Sequence, residues 1–228
     1  MEPEDYSHFF AAAEEYNEQM AKVAFPLMNY DQVEGYDDAL NVSGTGIIGY
    51  IQIPKIDIAL PIYHGTSEGV LQIAVGHLEG TSLPTGGEGT HCVLSAHRGL
   101  PSARLFTDLD KMEIGDTFTI TVLDRLMTYE VDQILIVEPY EVNELYVVEG
   151  EDLCTLITCT PYGINSHRML VRGHRVDNAG EVRIIHVTAD AIQIEPIIVA
   201  PLVAVPILLI LLIILLIPKR SKHNKKDS

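Results

Sequence analysis

A cysteine and an arginine stand on the two sides of a short loop in TLITCTPYGINSHRMLVRG, residues 155–173. Cys159 ends one apolar run and Arg168 begins the next, nine positions later. A thiol is a strong nucleophile only as the thiolate, so catalysis requires a nearby histidine or cation and a donor for the oxyanion of an attacked carbonyl. The two runs predict neighbouring antiparallel strands that bring both side chains to one rim of a sheet. An arginine there can bind a substrate carbonyl and stabilise developing negative charge.

The residues alone do not select the histidine that would serve this thiol. Six histidines fall in the part of the chain that is rich in short apolar runs: His64, His77, His91, His97, His167 and His174. His97 ends one such run just before Gly99, a position that suits the projection of a functional side chain. A buried cysteine more often contributes packing than catalysis. On pattern alone, Cys159 therefore stays open between a nucleophile and a core thiol.

The elements that would position these residues are mainly short strands. From Gly46 onward, apolar runs alternate with glycine and proline, and residues 117–137 hold two extended runs joined by a Leu-Asp-Arg-Leu turn, which predicts a hairpin. Many short strands with close turn signals predict a mainly β domain, a barrel or a sandwich, and not a βαβ fold. Before it, residues 7–25 have amphipathic helical spacing, and the acidic stretch that follows indicates a loop or linker.

A second region has the character of a membrane anchor. Residues 197–217, IIVAPLVAVPILLILLIILLI, carry no charge and match the length of a transmembrane helix. Five lysines and arginines follow in residues 218–228, so the positive-inside rule places this basic tail in the cytoplasm and everything before residue 197 outside, with residues 179–196 as a juxtamembrane connector. Export requires a leader, and the acidic first 20 residues do not resemble one, so we expect a chain that is processed or truncated at its start.

Charge and cysteine content narrow the function further. Residues 1–196 carry ten basic and 31 acidic residues, about −21, so this part is a poor ligand for nucleic acid and we expect protein or peptide partners. The cysteines are Cys92, Cys154 and Cys159, and an odd number in an exported domain leaves at least one thiol free. A disulfide between Cys92 and Cys154 satisfies this count, although many exported proteins do without structural disulfides. There is no Cys-x-x-Cys pair and the histidines are scattered, so we expect neither a zinc site nor a cofactor.

Five segments between residues 46 and 175 form a distinctive set of motifs in a fixed order: GYIQIPKI, LPIYHGTSEGVLQIAVGHLEGTSLPTGGEGTHC, SAHRGLP, TLITCTPYG and HRMLVRG. Together they resemble the sortase family, and specifically its pilin-polymerising class C members from Gram-positive bacteria. The resemblance implies a sortase-type closed β-barrel over residues 46–178. It also implies that Cys159 is the nucleophile, His97 the histidine and Arg168 the arginine of a catalytic site.

What the resemblance implies about activity is transpeptidation. Cys159 attacks the threonine carbonyl of an LPXTG-like sorting signal on a pilin or surface protein, and His97 protonates the leaving glycine amine. Arg168 orients the signal and supports the oxyanion, and the acyl group passes from the enzyme to a lysine amine of an acceptor pilin. One alternative is transfer to the peptidoglycan cross-bridge, which anchors surface proteins or a pilus base. Another is a catalytically inactive, membrane-tethered domain that binds proteins.

Two positions depart from the family pattern. Ala96 stands where a glycine commonly precedes the histidine. Class C sortases typically carry an N-terminal lid with an Asp-Pro-aromatic or similar motif, and residues 1–45 contain no Asp-Pro pair. Within this N-terminal region, residues 26–45 are therefore either an acidic linker or a divergent lid, and we favour the linker.

Overall fold

The structure is a computed structural model that describes residues 5–100 and 103–178. The predicted connector, membrane span and basic tail lie outside the described residues. Within the described part, no helix is long and apolar enough to cross a membrane. Residues 5–100 and 103–178 form two helices, α1 (Ser7–Met20) and α2 (Glu68–Leu71), and eight strands: β1 (Ile47–Ile53), β2 (Ile58–His64), β3 (Val75–His77), β4 (Thr90–Ser95), β5 (Thr117–Val122), β6 (Arg125–Val137), β7 (Asp152–Thr160) and β8 (His167–Val176). Short 3₁₀ turns add to these: Tyr30–Gln32, Pro54–Ile56, Leu109–Lys111 and Asn143–Leu145.

The eight described strands close into a barrel in the order β1-β2-β3-β4-β7-β8-β6-β5. Two neighbouring pairs, β2 with β3 and β4 with β7, are parallel, and the others are antiparallel. The mainly β prediction is confirmed, and of the two architectures that the pattern allowed, the molecule adopts the barrel. Closure pairs every strand on both sides, so the barrel has no free sheet edge among these strands.

The hairpin of β5 and β6 shows how side-chain alternation specifies the barrel. Phe118, Ile120 and Val122 are buried inside, while the threonines between them face outward. Phe118 stacks on Tyr129 of β6 with ring centroids 5.6 Å apart. The predicted hairpin is therefore confirmed, and it supplies one wall of the core.

Helix α1 is the predicted amphipathic helix, although it ends at Met20, before the end of the helical pattern. Its buried face includes Phe10, Ala13 and Tyr16. Asn17 on the same face is 6% exposed and bonds to the backbone of the loop between β3 and β4. Its Oδ1 accepts from the Leu83 N–H at 2.7 Å, and its Nδ2 donates to the Leu83 carbonyl at 3.2 Å and to Thr85 Oγ1 at 3.0 Å. These bonds fix the helix in one register on the barrel.

Replacing Asn17 with alanine is expected to lower the free energy of unfolding by about 1–3 kcal/mol, because the buried Leu83 N–H loses its acceptor, while the Leu83 carbonyl keeps its bond from the Thr85 N–H. Chemical denaturation followed by circular dichroism measures this loss. Gln19→Ala on the exposed face of α1 is the matched control and should change stability by less than about 0.5 kcal/mol. Equal midpoints for the two variants would show that the helix docks without the Asn17 bonds.

Residues 26–45 pack against the barrel and do not form a plain linker. Val33, Ala39 and Leu40 are buried in the main core cluster. The Tyr36 hydroxyl lies 2.8 Å from His77 Nδ1 and accepts a hydrogen bond from the Gly65 N–H at 2.9 Å. Burial raises the pKa of this hydroxyl, so it stays protonated and can donate to the imidazole. The acidic side chains of this segment face solvent, and its few apolar side chains pack against the core. The acidic composition of the segment as a whole therefore gives no indication of this packing.

Candidate active site

The parallel pairing of β4 and β7 brings His97 and Cys159 to the same level. Ser95 on β4 is the register partner of Ile157 on β7. His97 lies two residues after Ser95, and Cys159 lies two residues after Ile157. The alignment continues past the end of β4, because the Ala96 N–H donates to the Ile157 carbonyl at 3.2 Å. Thr158 Oγ1 donates to the Ala96 carbonyl at 2.9 Å, which ties the residue before His97 to the residue before Cys159.

Arg168 reaches the same place through the antiparallel pairing of β7 and β8, where it is the register partner of Cys159. The sequence predicted this neighbourhood from the two apolar runs around the loop, and the strand pairing agrees. Arg168 Nη1 donates to the carbonyls of His167 at 3.1 Å and Asn165 at 3.3 Å. In the described residues, Nε and Nη2 have no hydrogen-bond partner, so these donors are free to bind a substrate oxygen.

All three side chains line one cavity of about 400 Å³ on the outer face of the barrel. Its floor belongs to a hydrophobic cluster formed by Val93, Leu145, Ile157 and Leu170, with Leu78 and Val142 packed against it. Cys159 is partly exposed, whereas Cys92 and Cys154 are buried. An apolar groove that ends at an accessible thiol is suited to bind an extended apolar peptide and attack its backbone.

Glu68 is an exposed carboxylate beside His97 that the sequence analysis did not consider. Its Oε2 lies 3.5 Å from His97 Nε2, and the His97 carbonyl accepts from the Phe106 N–H at 3.1 Å. The carboxylate comes from α2, a single helical turn that leads into β3. Only the tertiary path of this connection brings Glu68 to the histidine, and a carboxylate 29 positions away from His97 gives no sequence signal.

Arg98 follows His97 directly, and its side chain is occupied by contacts with residues that do not line the cavity. Its side chain is 8% exposed and forms an ion pair with Asp110 at 2.5 Å. Nη1 lies 3.5 Å from Thr160 Oγ1, and the guanidinium stands 6.0 Å from the centre of the Tyr162 ring. These contacts join the segment after His97 to the end of β7, so Arg98 supports the geometry of the site.

The N-terminal segment reaches the edge of this cavity at one residue, Leu27. Its backbone crosses Gly80 so closely that a Cβ there would lie 2.5 Å from the Pro26 carbonyl oxygen. Gly80 also has φ of +84°, a conformation that favours glycine. The segment is thus fitted to the barrel beside the cavity.

A family comparison decides the relationship that these features suggest: the sortase domain model matches residues 51–176. The chain belongs to the sortase family. Among curated relatives, this sortase is 30% identical to sortase D of Bacillus subtilis over 131 residues, which are 56% of this chain and 63% of that protein. It is 31% identical to sortase A of Streptococcus agalactiae over 117 residues, 50% of this chain and 47% of the relative. The match therefore spans less than two thirds of the length of either curated protein.

Solved structures extend the similarity over more of this sortase. Sortase C1 from Streptococcus agalactiae is 50% identical with a TM-score of 0.71, covering 78% of this chain and 93% of its own. Sortase C from Streptococcus pneumoniae is 44% identical with a TM-score of 0.69, covering 80% and 93%. Sortase C-1 from Actinomyces oris is 43% identical with a TM-score of 0.71, covering 77% and 100%. These neighbours are class C sortases, which confirms the resemblance found in the sequence.

Proposed function

We propose that this sortase is a membrane-anchored cysteine transpeptidase that cleaves an LPXTG-like sorting signal between threonine and glycine and transfers the threonyl group to a pilin lysine. The observation that carries the proposal is the convergence of Cys159, His97 and Arg168 on one apolar cavity. Each residue type has a distinct part in acyl transfer, and the barrel brings the three together from separate strand ends.

The steps follow from these roles. The Cys159 thiolate attacks the threonine carbonyl carbon, and the unpartnered donors of Arg168 stabilise the oxyanion of the tetrahedral intermediate. As the intermediate collapses, the C–N bond breaks and His97, as imidazolium, protonates the leaving glycine amine. The threonyl group is then held as a thioester on Cys159. A lysine amine attacks this thioester, gives a proton to His97 and releases the thiolate.

The identity of the acceptor is supported by similarity and charge. Streptococcus pneumoniae sortase C has been described in terms of its pilin substrate specificity. The strongly anionic part of the chain before residue 197 favours encounter with a lysine-bearing surface, an effect on association more than on chemistry. We place the catalytic domain outside the cell, with residues 197–217 in the membrane and the basic tail in the cytoplasm.

Competition between two acceptors tests the proposal. The full chain is incubated with a sorting-signal peptide and equal amounts of a pilin bearing its acceptor lysine and a peptidoglycan cross-bridge amine, and the products are identified by mass spectrometry. We expect a threonyl thioester on Cys159 and transfer to the pilin lysine. Transfer to the cross-bridge alone would replace the pilin function with surface anchoring. Absence of any acyl-enzyme would leave the inactive binding domain as the better description.

Replacing Arg168 with lysine is expected to lower kcat by about 100-fold, because a single ammonium does not reproduce the fixed donors of a guanidinium beside Cys159. Steady-state cleavage of the sorting-signal peptide measures the effect. Arg172→Lys is the matched control on the same strand, since Arg172 pairs with Asp132 through two 3.0 Å bonds and does not line the cavity. A kcat for Arg168→Lys within threefold of the control would contradict an oxyanion role.

A further inference from the structure

Two thiols that the proposed chemistry does not use face each other inside the barrel. Cys92 on β4 and Cys154 on β7 are register partners, and they are 3% and 0% exposed. Both belong to the inner core cluster, so their side chains point to the same face of the sheet. Neighbouring strands lie about 4.8 Å apart, which is within the range of about 4.4–6.8 Å that Cα atoms span across a disulfide.

The environment of this pair differs from that of an ordinary apolar core. The thiols of Cys92 and Cys154 are neighbours, and the buried imidazole of His77 lies beside Cys92. Burial raises the pKa of the Cys92 thiol, but the neighbouring Cys154 and His77 side chains outweigh burial and hold this pKa below its usual value. Burial and the neighbouring Cys92 raise the pKa of Cys154. The pair therefore combines one activated thiol with one thiol that stays protonated beside it.

We propose that Cys92 and Cys154 are an oxidisable dithiol that a peroxide closes to a disulfide across β4 and β7 of the folded barrel. Cys92 Sγ attacks one oxygen of hydrogen peroxide, the O–O bond breaks, and Cys92 becomes a sulfenic acid while one water leaves. Cys154 Sγ then attacks the Cys92 sulfur, loses its proton and displaces the hydroxyl as a second water. In total, two thiols are oxidised to one disulfide and one peroxide is reduced to two waters.

The position of this link relates it to the active site. Cys92 lies five residues before His97, and Cys154 lies five residues before Cys159. A disulfide at this level would fix the two parallel strands whose alignment sets the histidine beside the nucleophile. It would also leave Cys159 as the one thiol of the chain that is free to react.

Thiol counting after peroxide treatment tests the proposal. The full chain carrying Cys159→Ala, which removes the accessible thiol, is treated in its folded state with hydrogen peroxide, unfolded, alkylated and mapped by mass spectrometry. We expect both remaining thiols to disappear together, with the loss of two hydrogen atoms and a peptide that links positions 92 and 154. Two alkylated cysteines, or sulfinic acid on either cysteine without the link, would overturn the proposal.

Two further variants in the same Cys159→Ala background test whether Cys92 is the thiol that reacts with the peroxide. With Cys154→Ala, the reaction should stop at a sulfenic acid on Cys92, which dimedone traps. With Cys92→Ala, Cys154 should remain reduced under the same treatment. Equal oxidation of the remaining cysteine in both variants would contradict an activated Cys92. The number of free thiols after peroxide treatment does not depend on transfer activity. This experiment therefore tests the dithiol proposal separately from the proposed function.

Discussion

Replacing Cys159 with alanine is expected to lower kcat/KM for cleavage of a sorting-signal peptide by more than about 10⁴-fold. The other cavity groups still bind and polarise the peptide, but no atom remains to form the thioester, so transfer to an amine stops. Cleavage of a fluorogenic peptide and the yield of the lysine-linked product both measure the loss. Cys159→Ala should keep the circular dichroism spectrum and unfolding midpoint of the wild type, because the side chain is partly exposed at the end of β7.

The matched control is Cys92→Ala, which removes a thiol from the inner face of β4 and should retain activity within about threefold. A thiol-reactive probe gives a second measurement on the wild type. It should label Cys159 before either buried cysteine, and peptide mapping identifies the site. Transfer activity in Cys159→Ala, or equal labelling of all three cysteines, would show that this thiol is not the nucleophile.

The sequence predicted most of the secondary structure because that part depends on local periodicity. Alternation along β5 and the turn after it specify a hairpin without reference to the rest of the chain. The apolar runs around the loop at residues 161–166 likewise specify the pairing of β7 and β8, which aligns Cys159 with Arg168. The barrel itself was open to a sandwich alternative, because closure depends on pairings between distant strands.

The non-local parts of the site were beyond pattern reasoning. Strands β4 and β7 pair in parallel although their register partners Cys92 and Cys154 are 62 positions apart, and no periodicity connects them. This pairing is what selects His97 among six candidate histidines, a choice for which the sequence needed a family resemblance. Glu68 depends in the same way on the path of the chain between β2 and β3. The packing of residues 26–45 was missed because acidic residues dominate the composition of the segment, while three buried apolar residues and the Tyr36 hydrogen bonds hold it on the barrel.

Replacing His97 with glutamine is expected to lower kcat for amide cleavage by about 10²–10⁴-fold. Glutamine retains hydrogen bonding but cannot give a proton to the leaving glycine amine, so the tetrahedral intermediate returns to bound peptide. His174→Gln is the matched control. His174 lies on β8, 3.9 Å from the carboxylate of Asp132 on β6, and does not line the cavity. It should retain kcat within about threefold.

The nature of the leaving group distinguishes proton donation by His97 from a merely structural role. A depsipeptide with an ester in place of the threonine–glycine amide releases an alkoxide, which needs less help from an acid than an amine does. The penalty of His97→Gln should therefore shrink at least tenfold on the ester, whereas a distorted cavity would slow both substrates equally. Glu68→Gln, which only removes the carboxylate 3.5 Å from Nε2, should lower kcat by less than about tenfold. If His97→Gln loses the same factor on amide and ester, His97 positions the site without donating the proton.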